Sequence, residues 1–596
     1  MHILLVASAF NSLTQRVHAE LRDHGHRVAV ELAVPGVPLV DAVRRQRPDL
    51  IIAPMLTTAL PREVWEAHTC LIVHPGPVGD RGPSSLDRAI LDGADRWGVT
   101  VLQATGEMDA GDVWAFADCP LPEVAKSDLY RGEIADAALR AVLTAVERFA
   151  SGTYVPQPQA THHTRPYLGQ EDRRIDWDRD PTERVLRTLR AADSRPGVLD
   201  DLLGGAWFLH GGRPEYELRG RPGELLATRG GAICRATTDG AVWIPELRAR
   251  RRAGEPAPVK LPATLALADR LPSLPELPAP PPCGGSHAPH GSHGSHGVAA
   301  PGDIGYREEG RVGFLSFSFP GGAMATDHCR RLLHAYRAAC SRPTSVLVLG
   351  GGRDFFSNGI HLGVIEAADD PAAESRANIE AMDDLVEAVL TTTDRLVVAA
   401  LGGNAAAGGA MLALAADEVW CRTGVVLNAH YRLMGLYGSE YWTYTLPRRV
   451  GAAVAERLTT DALPLSAAAA EGLGLIDRTV PCAPDAFAAE TARLAGLLAD
   501  SPATPSRIAG KKATRDRDEA ARPLAAHREA ELTRMRATFH DPDAPYHALR
   551  RAFVRKEPAT GTPPHLADPA SSRRGDVTAM AAHDSPPGSE PCYQEG

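Results

Sequence analysis

Leu71-Ile72-Val73-His74-Pro75-Gly76-Pro77-Val78-Gly79-Asp80-Arg81-Gly82 sets an apolar run of strand character against a loop whose prolines and glycines stop it. His74 therefore stands where a strand ends, at the sheet edge where α/β enzymes gather their ligands. Outward from it, the apolar runs 3–7, 28–32, 50–53 and 99–103 read as further strands with amphipathic segments between them. That alternation over 1–150 predicts a parallel, doubly wound α/β sheet. The segment Gly106-Glu107-Met108-Asp109-Ala110-Gly111-Asp112-Val113 places carboxylates on a tight turn after the 99–103 strand. A histidine and an aspartate are the minimum set for moving a proton.

Beyond this sheet, one amphipathic helix over 181–192 and glycine-punctuated strands at 206–209 and 241–247 predict a small β-rich subdomain over 160–265. Residues 266–302 are rich in Pro, Gly and His, a composition that buries no core, and read as a linker. Strands at 312–317, 346–349 and 396–400, each followed by a loop and a helical pattern, predict a second α/β domain over 303–498. A charge-rich helical segment is expected over 499–557 and a disordered tail over 558–596.

The chain has 596 residues, more than one hydrophobic core usually supports, so several domains are expected. A net charge of -10 offers no basic surface for a phosphate backbone, which argues against nucleic acid as a partner. The apolar run at 3–7 lacks a basic lead and reads as a first strand, and no stretch is apolar enough to span a membrane. Nine scattered cysteines without a Cys-x-x-Cys spacing fit a reducing, cytoplasmic setting.

Two glycine-rich turns mark a second candidate site. Gly402-Gly403-Asn404-Ala405-Ala406-Ala407-Gly408-Gly409-Ala410-Met411 follows the 396–400 strand and opens a helix of small residues. Leu349-Gly350-Gly351-Gly352-Arg353-Asp354-Phe355-Phe356-Ser357-Asn358-Gly359-Ile360-His361 follows the strand before it. Exposed backbone N–H groups on two such turns suit the carbonyl oxygen of a thioester. Between His430 and Tyr444 lie Tyr431, Tyr437, Glu440, Tyr441 and Trp442, a concentration of aromatic residues around one carboxylate, where a raised pKa is expected.

The first site, with Ser84-Ser85-Leu86-Asp87-Arg88-Ala89-Ile90 and Gly98-Val99-Thr100, resembles the 10-formyltetrahydrofolate formyltransferases. Residues 171–177 and 190–197 resemble the start of the subdomain that follows such a core. The second site resembles the crotonase (enoyl-CoA hydratase/isomerase) superfamily over 303–498. Together they imply an α/β multidomain chain: a doubly wound formyltransferase-like sheet with a β-rich subdomain, then a crotonase-like domain with a helical extension. They imply catalytic roles for His74 and Asp109 in the first half, and oxyanion-binding N–H groups at Ile360 and Gly408 in the second. Cofactor-binding positions follow at Gln15, Asp80, Arg81, Ser84, Ser85, Ser194, Arg195, Gly359 and Gly409, for 10-formyltetrahydrofolate and coenzyme A. No metal site is implied.

The departures from both families carry information. Formyltransferases usually hold an Asn two residues before the histidine, and here that position is Ile72. The two positions of the hydratase glutamates fall on Met411 and Tyr431, which argues against enoyl-CoA hydration and favours Tyr431 and Glu440 as the reactive pair. The fusion, with residues 350–355 and 437–451, resembles a family of [NiFe]-hydrogenase maturation proteins over 1–557. That resemblance implies formyl transfer from formyltetrahydrofolate to CoA, cleavage of formyl-CoA to CO and CoA, and delivery of CO to the hydrogenase maturation machinery. Two alternatives are an amine formyltransferase joined to a degenerate crotonase scaffold, and a non-enzymatic metal-handling or docking factor resting on His287, His290, His293 and His296.

Overall fold

Ile3, Leu4, Leu5 and Val6 are all fully buried, so strand His2–Ala7 is covered on both faces, as a parallel strand between helical layers must be. The computed structural model describes residues 1–160, 162–278 and 303–567. In the first sheet the strands run in the order Arg27–Leu32, His2–Ala7, Leu50–Met55, Cys70–His74, Arg96–Gln103, Val113–Pro120. The first four are mutually parallel. The fifth, expected to be parallel too, is antiparallel to Cys70–His74, and the sixth is antiparallel to the fifth. Residues 98–102 of the fifth strand are all buried, and an apolar run covered on both faces reads the same in either direction, so only the connection decides: it passes over one short helix, Ser85–Leu91, and returns. The turn that follows Gln103 starts opposite Leu71, and its Asp109 side chain reaches His74 Nδ1 at 3.5 Å.

Two four-stranded antiparallel sheets follow, pairing Gly205–His210 with Val198–Leu202 and Glu246–Ala249, and Ala232–Ala236 with Leu225–Arg229 and Ala241–Ile244. Their core, with Val198, Leu209, Ile233, Val242 and Leu247, is closed by Val185 and Leu189 of helix Thr182–Ala192. The linker reading begins at 266, yet the chain stays attached beyond it. Leu267 is buried, Thr228 N–H donates to Pro275 O at 2.9 Å, and Leu277 N–H donates to Thr228 O at 2.8 Å. His287, His290, His293 and His296 lie outside the described residues.

The second half is built on a six-stranded sheet in the order Ile304–Glu309, Val312–Phe317, Val346–Gly350, Leu396–Leu401, Glu418–Arg422, Arg478–Val480, parallel after the first pair. A smaller sheet aligns Phe355–Ser357, Asn404–Ala406 and Val426–Asn428 in parallel, which lays the two glycine-rich turns side by side. Helices Thr504–Ala521, Leu524–His540 and Pro545–Arg555 form the extension. The expected tail departs at its start: Thr562 Oγ1 donates to Glu31 at 2.6 Å and accepts Leu32 N–H at 2.8 Å. Strand Arg27–Leu32 is an edge strand, and this segment covers one of its open groups. Residues 568–596 lie outside the described chain.

Charged contacts join the halves. Asp136, on helix Glu133–Ser151, sits between Arg16 at 2.6 Å and Arg422 at 3.1 Å. Arg353 pairs with buried Glu133 at 2.5 Å, and the Arg131 guanidinium lies over the Phe355 ring at 4.3 Å. The turn that begins at Gly350 is thus anchored to the formyltransferase-like half. Among the described residues, no helix is long and apolar enough to cross a membrane, and the seven cysteines are all free.

Candidate active sites

At the first site the strand Cys70–His74 delivers His74 into a ring of acids. Its Nε2 lies 3.2 Å from Asp80 Oδ2 and its Nδ1 3.5 Å from Asp109 Oδ2, with the imidazole 5% exposed. A carboxylate faces each ring nitrogen, so whichever carries the hydrogen meets an acceptor. Asp80 Oδ1 also accepts from Arg165 Nε at 2.8 Å. Burial pushes the Asp80 carboxyl up, but the His74 hydrogen bond and the charges of His74 and Arg165 outweigh it and hold it below its ordinary value. Asp109 adopts a left-handed backbone, φ 54°, and its Oδ2 accepts Gly82 N–H at 3.2 Å. Gln159 ties that turn down, donating to Asp109 O at 2.9 Å and Gly111 O at 2.8 Å while accepting Gly79 N–H at 3.0 Å.

Glycine at 76 is a steric requirement: a Cβ there would lie 2.4 Å from His74 Nε2 and 2.6 Å from Asp80 Oδ2. Gly76→Ala is expected to lower first-site turnover about 100-fold by displacing the imidazole, with thermal unfolding as the check that the fold survives.

The remaining positions separate by what they touch. Arg81 reaches Glu107 at 3.0 Å on the Asp109 turn, and Ser85 Oγ donates to Pro75 O at 2.9 Å, beside His74. Ser84 Oγ accepts Leu168 N–H at 3.1 Å, and Gln15 donates to Phe10 O at 3.0 Å in the first turn of helix Ser12–Asp23. Ser194 and Arg195 are exposed, and the Arg195 carbonyl accepts from Lys126 at 2.6 Å. Desolvation first, then the neighbouring cations Arg195 and Lys260, push the Lys556 ammonium down to about 8. Ile72 shares the face of His74 but contributes only apolar packing, near Leu4 and Ala104.

At the second site the small sheet brings the two turns into contact. A Cβ on Gly359 would lie 3.1 Å from Gly408 N, and one on Gly409 would lie 2.1 Å from Ser357 O, so both are glycine for closeness. Gly359 O accepts Met324 N–H at 2.8 Å, which fixes the peptide that presents Ile360. Neither the Ile360 nor the Gly408 N–H has a protein acceptor among the described residues.

Facing them is a buried pair. Tyr431 OH donates to Glu440 Oε2 at 2.6 Å, a charge-assisted length, with the residues 5% and 2% exposed. A Cβ on Gly408 would stand 2.5 Å from Glu440 Oε1, so the carboxylate lies directly against the Gly408 turn. Burial raises the Glu440 carboxyl despite the bonds from Tyr431 and Ser439; burial and then the Glu440 charge raise the Tyr431 phenol well above its usual value. Glu440 and Tyr441 have φ 62° and 57°, a left-handed pair costing about 1–3 kcal/mol each. Met411, fully buried in the apolar core, supplies no acid–base group.

Residues 37–146 match the formyl transferase family, 168–258 the formyl transferase C-terminal domain, and 324–559 the enoyl-CoA hydratase/isomerase family. The hydrogenase maturation factor HoxX of Bradyrhizobium diazoefficiens is 47% identical over 569 residues, covering 94% of this chain and 96% of that protein. The methionyl-tRNA formyltransferase of Roseiflexus castenholzii is 33% identical over 166 residues, 27% of this chain and 52% of that one. The crystal structure of HypX from Aquifex aeolicus in complex with tetrahydrofolic acid superposes with TM-score 0.89 at 42% identity, covering 96% of this chain and 99% of that one.

Proposed function

The chain belongs to the family of the hydrogenase maturation factors HypX and HoxX, and from that premise we propose that it makes the carbon monoxide ligand of a [NiFe]-hydrogenase in two steps. At the first site the formyl group moves from 10-formyltetrahydrofolate to the thiol of CoA: the C–S bond forms, the N10–C bond breaks, and the thiol proton ends on N10. His74 serves as the proton carrier, oriented by Asp80 and Asp109. The solved relative's tetrahydrofolate supports the folate half of this reading.

At the second site formyl-CoA is split without any change of oxidation state. A formyl thioester has no α-carbon, so the enolate chemistry of crotonases is closed to it. The formyl proton leaves, its bonding pair stays on carbon as the lone pair of CO, and the C–S pair departs with sulfur, which takes the proton. The Ile360 and Gly408 N–H groups hold the carbonyl oxygen, Glu440 removes the proton, and Tyr431 hands one to the thiolate. The observation that carries this reading is the buried Tyr431–Glu440 pair at 2.6 Å, pressed against the Gly408 turn. Arg195 and Lys556, neighbouring cations, suit the phosphates of CoA, whereas Lys260 beside them is already held by Glu246.

The test is cofactor dependence. Formyltetrahydrofolate is expected to turn over only when CoA is present, with free CoA recovered at the end. Equal turnover without CoA would contradict this reading, with an N-formyl product marking transfer to an amine and formate marking hydrolysis.

A further inference from the structure

Three consecutive backbone N–H groups at the second site each hold a carboxylate oxygen, and two of those carboxylates belong to helices distant in sequence. Ser439 N–H donates to Glu440 Oε2 at 3.2 Å, Glu440 N–H to Asp383 Oδ1 at 2.8 Å, and Tyr441 N–H to Glu531 Oε2 at 2.9 Å. Glu531 Oε1 also accepts the Thr443 N–H at 2.9 Å and the Thr443 hydroxyl at 2.5 Å. Successive N–H groups in left-handed turns make a concave anion site, and here the protein fills it with its own acids.

Asp383 lies on helix Pro371–Thr391 and Glu531 on Leu524–His540, and both are fully buried. Asp383 Oδ2 has no hydrogen-bond partner, and its guanidinium neighbour, Arg528 Nε, stays 3.8 Å away while that side chain also binds Asp384 and Glu387. Grouping three buried acids around one turn costs stability rather than adding it. Its effect is to be sought in the geometry it imposes on Glu440.

We infer that Asp383 and Glu531 are positioning residues for the second reaction: they clamp the left-handed Glu440–Tyr441 backbone from two helices, so that the Glu440 carboxylate meets both Tyr431 and the Gly408 turn. The C-terminal helical extension is thereby part of the reactive site. This inference rests on Glu440 being the base. Burial, and then the charges of Glu440 and Glu531, hold the Asp383 carboxyl well above its ordinary range, so an amide reproduces the form that works. Burial likewise pushes Glu531 up to about 7.

The test uses the full-length protein with supplied formyl-CoA, trapping CO on a haem protein. Asp383→Ala and Glu531→Ala are each expected to lower kcat about 100-fold, as loss of positioning does. KM for the thioester is expected to stay within about twofold, and formyl transfer at the first site to persist. Asp383→Asn, which keeps the acceptor, is expected to recover about tenfold or more of the Asp383→Ala loss. Parent kcat in both alanine variants would overturn the inference, as would an equal loss at the two sites, which marks a fold defect. Should Glu440→Gln itself release CO at the parent rate, the reading of the site falls; if Glu440→Gln is dead and the alanine variants are active, only the clamp falls.

Discussion

Glu440→Gln is expected to release CO from formyl-CoA about 1,000-fold more slowly than the parent protein, the scale set by losing a positioned general base. The amide keeps the size of the side chain and an acceptor for the Tyr431 hydroxyl, so the loss isolates basicity from packing. Tyr431→Phe removes the hydroxyl that hands a proton to sulfur, and about 100-fold is expected. The sign of the pH dependence follows from burial. The Glu440 carboxyl is raised above its ordinary value, and it must be ionised to accept the formyl proton. CO release therefore falls as pH drops through that raised value, an acid limb above the ordinary Glu range near about 4.3. Glu440→Gln removes the limb together with the rate. Rates of CO binding to a haem trap, measured across pH with saturating formyl-CoA, provide the check.

His74→Asn is expected to lower formyl transfer to CoA about 1,000-fold, since proton carriage and orientation are lost together. The companion variants Asp80→Asn and Asp109→Asn each leave one carboxylate on the ring, and about 100-fold is expected of each. Asp80 carries the further burden of Arg165, whose guanidinium loses its 2.8 Å partner. These variants are expected to release CO normally from supplied formyl-CoA, whereas Glu440→Gln is expected to accumulate formyl-CoA from formyltetrahydrofolate. That crossed pattern, read by chromatography of the thioester and by the haem trap, separates the two sites without reference to any other protein.

His74 and the two glycine-rich turns are legible in the sequence because each follows an apolar strand, a signal carried by adjacent residues, whereas Gly359 and Gly408 are singled out within those turns by the crotonase resemblance. The direction of strand Arg96–Gln103 is not, since an apolar run buried on both faces looks alike in both senses. Asp80 is expected from the formyltransferase resemblance as a cofactor-binding position, and only the fold shows it bonded to His74 Nε2. Asp383 and Glu531 leave no local trace: each is an acid in an ordinary helical pattern, and its meaning lies in contacts spanning 57 and 90 residues. The Tyr431–Glu440 pairing is intermediate. Both lie in one aromatic segment, yet their 2.6 Å contact depends on left-handed backbone at Glu440 and on Gly438, whose absent Cβ would strike the Tyr431 ring at 2.7 Å.

The central claim is that one carbon passes through both sites and leaves as CO. Formyltetrahydrofolate labelled with carbon-13 in the formyl group, supplied with unlabelled CoA to the purified full-length protein, tests it in one step. The account predicts labelled CO on the haem trap, with CoA regenerated and the label absent when CoA is omitted. Labelled formate without labelled CO would contradict it.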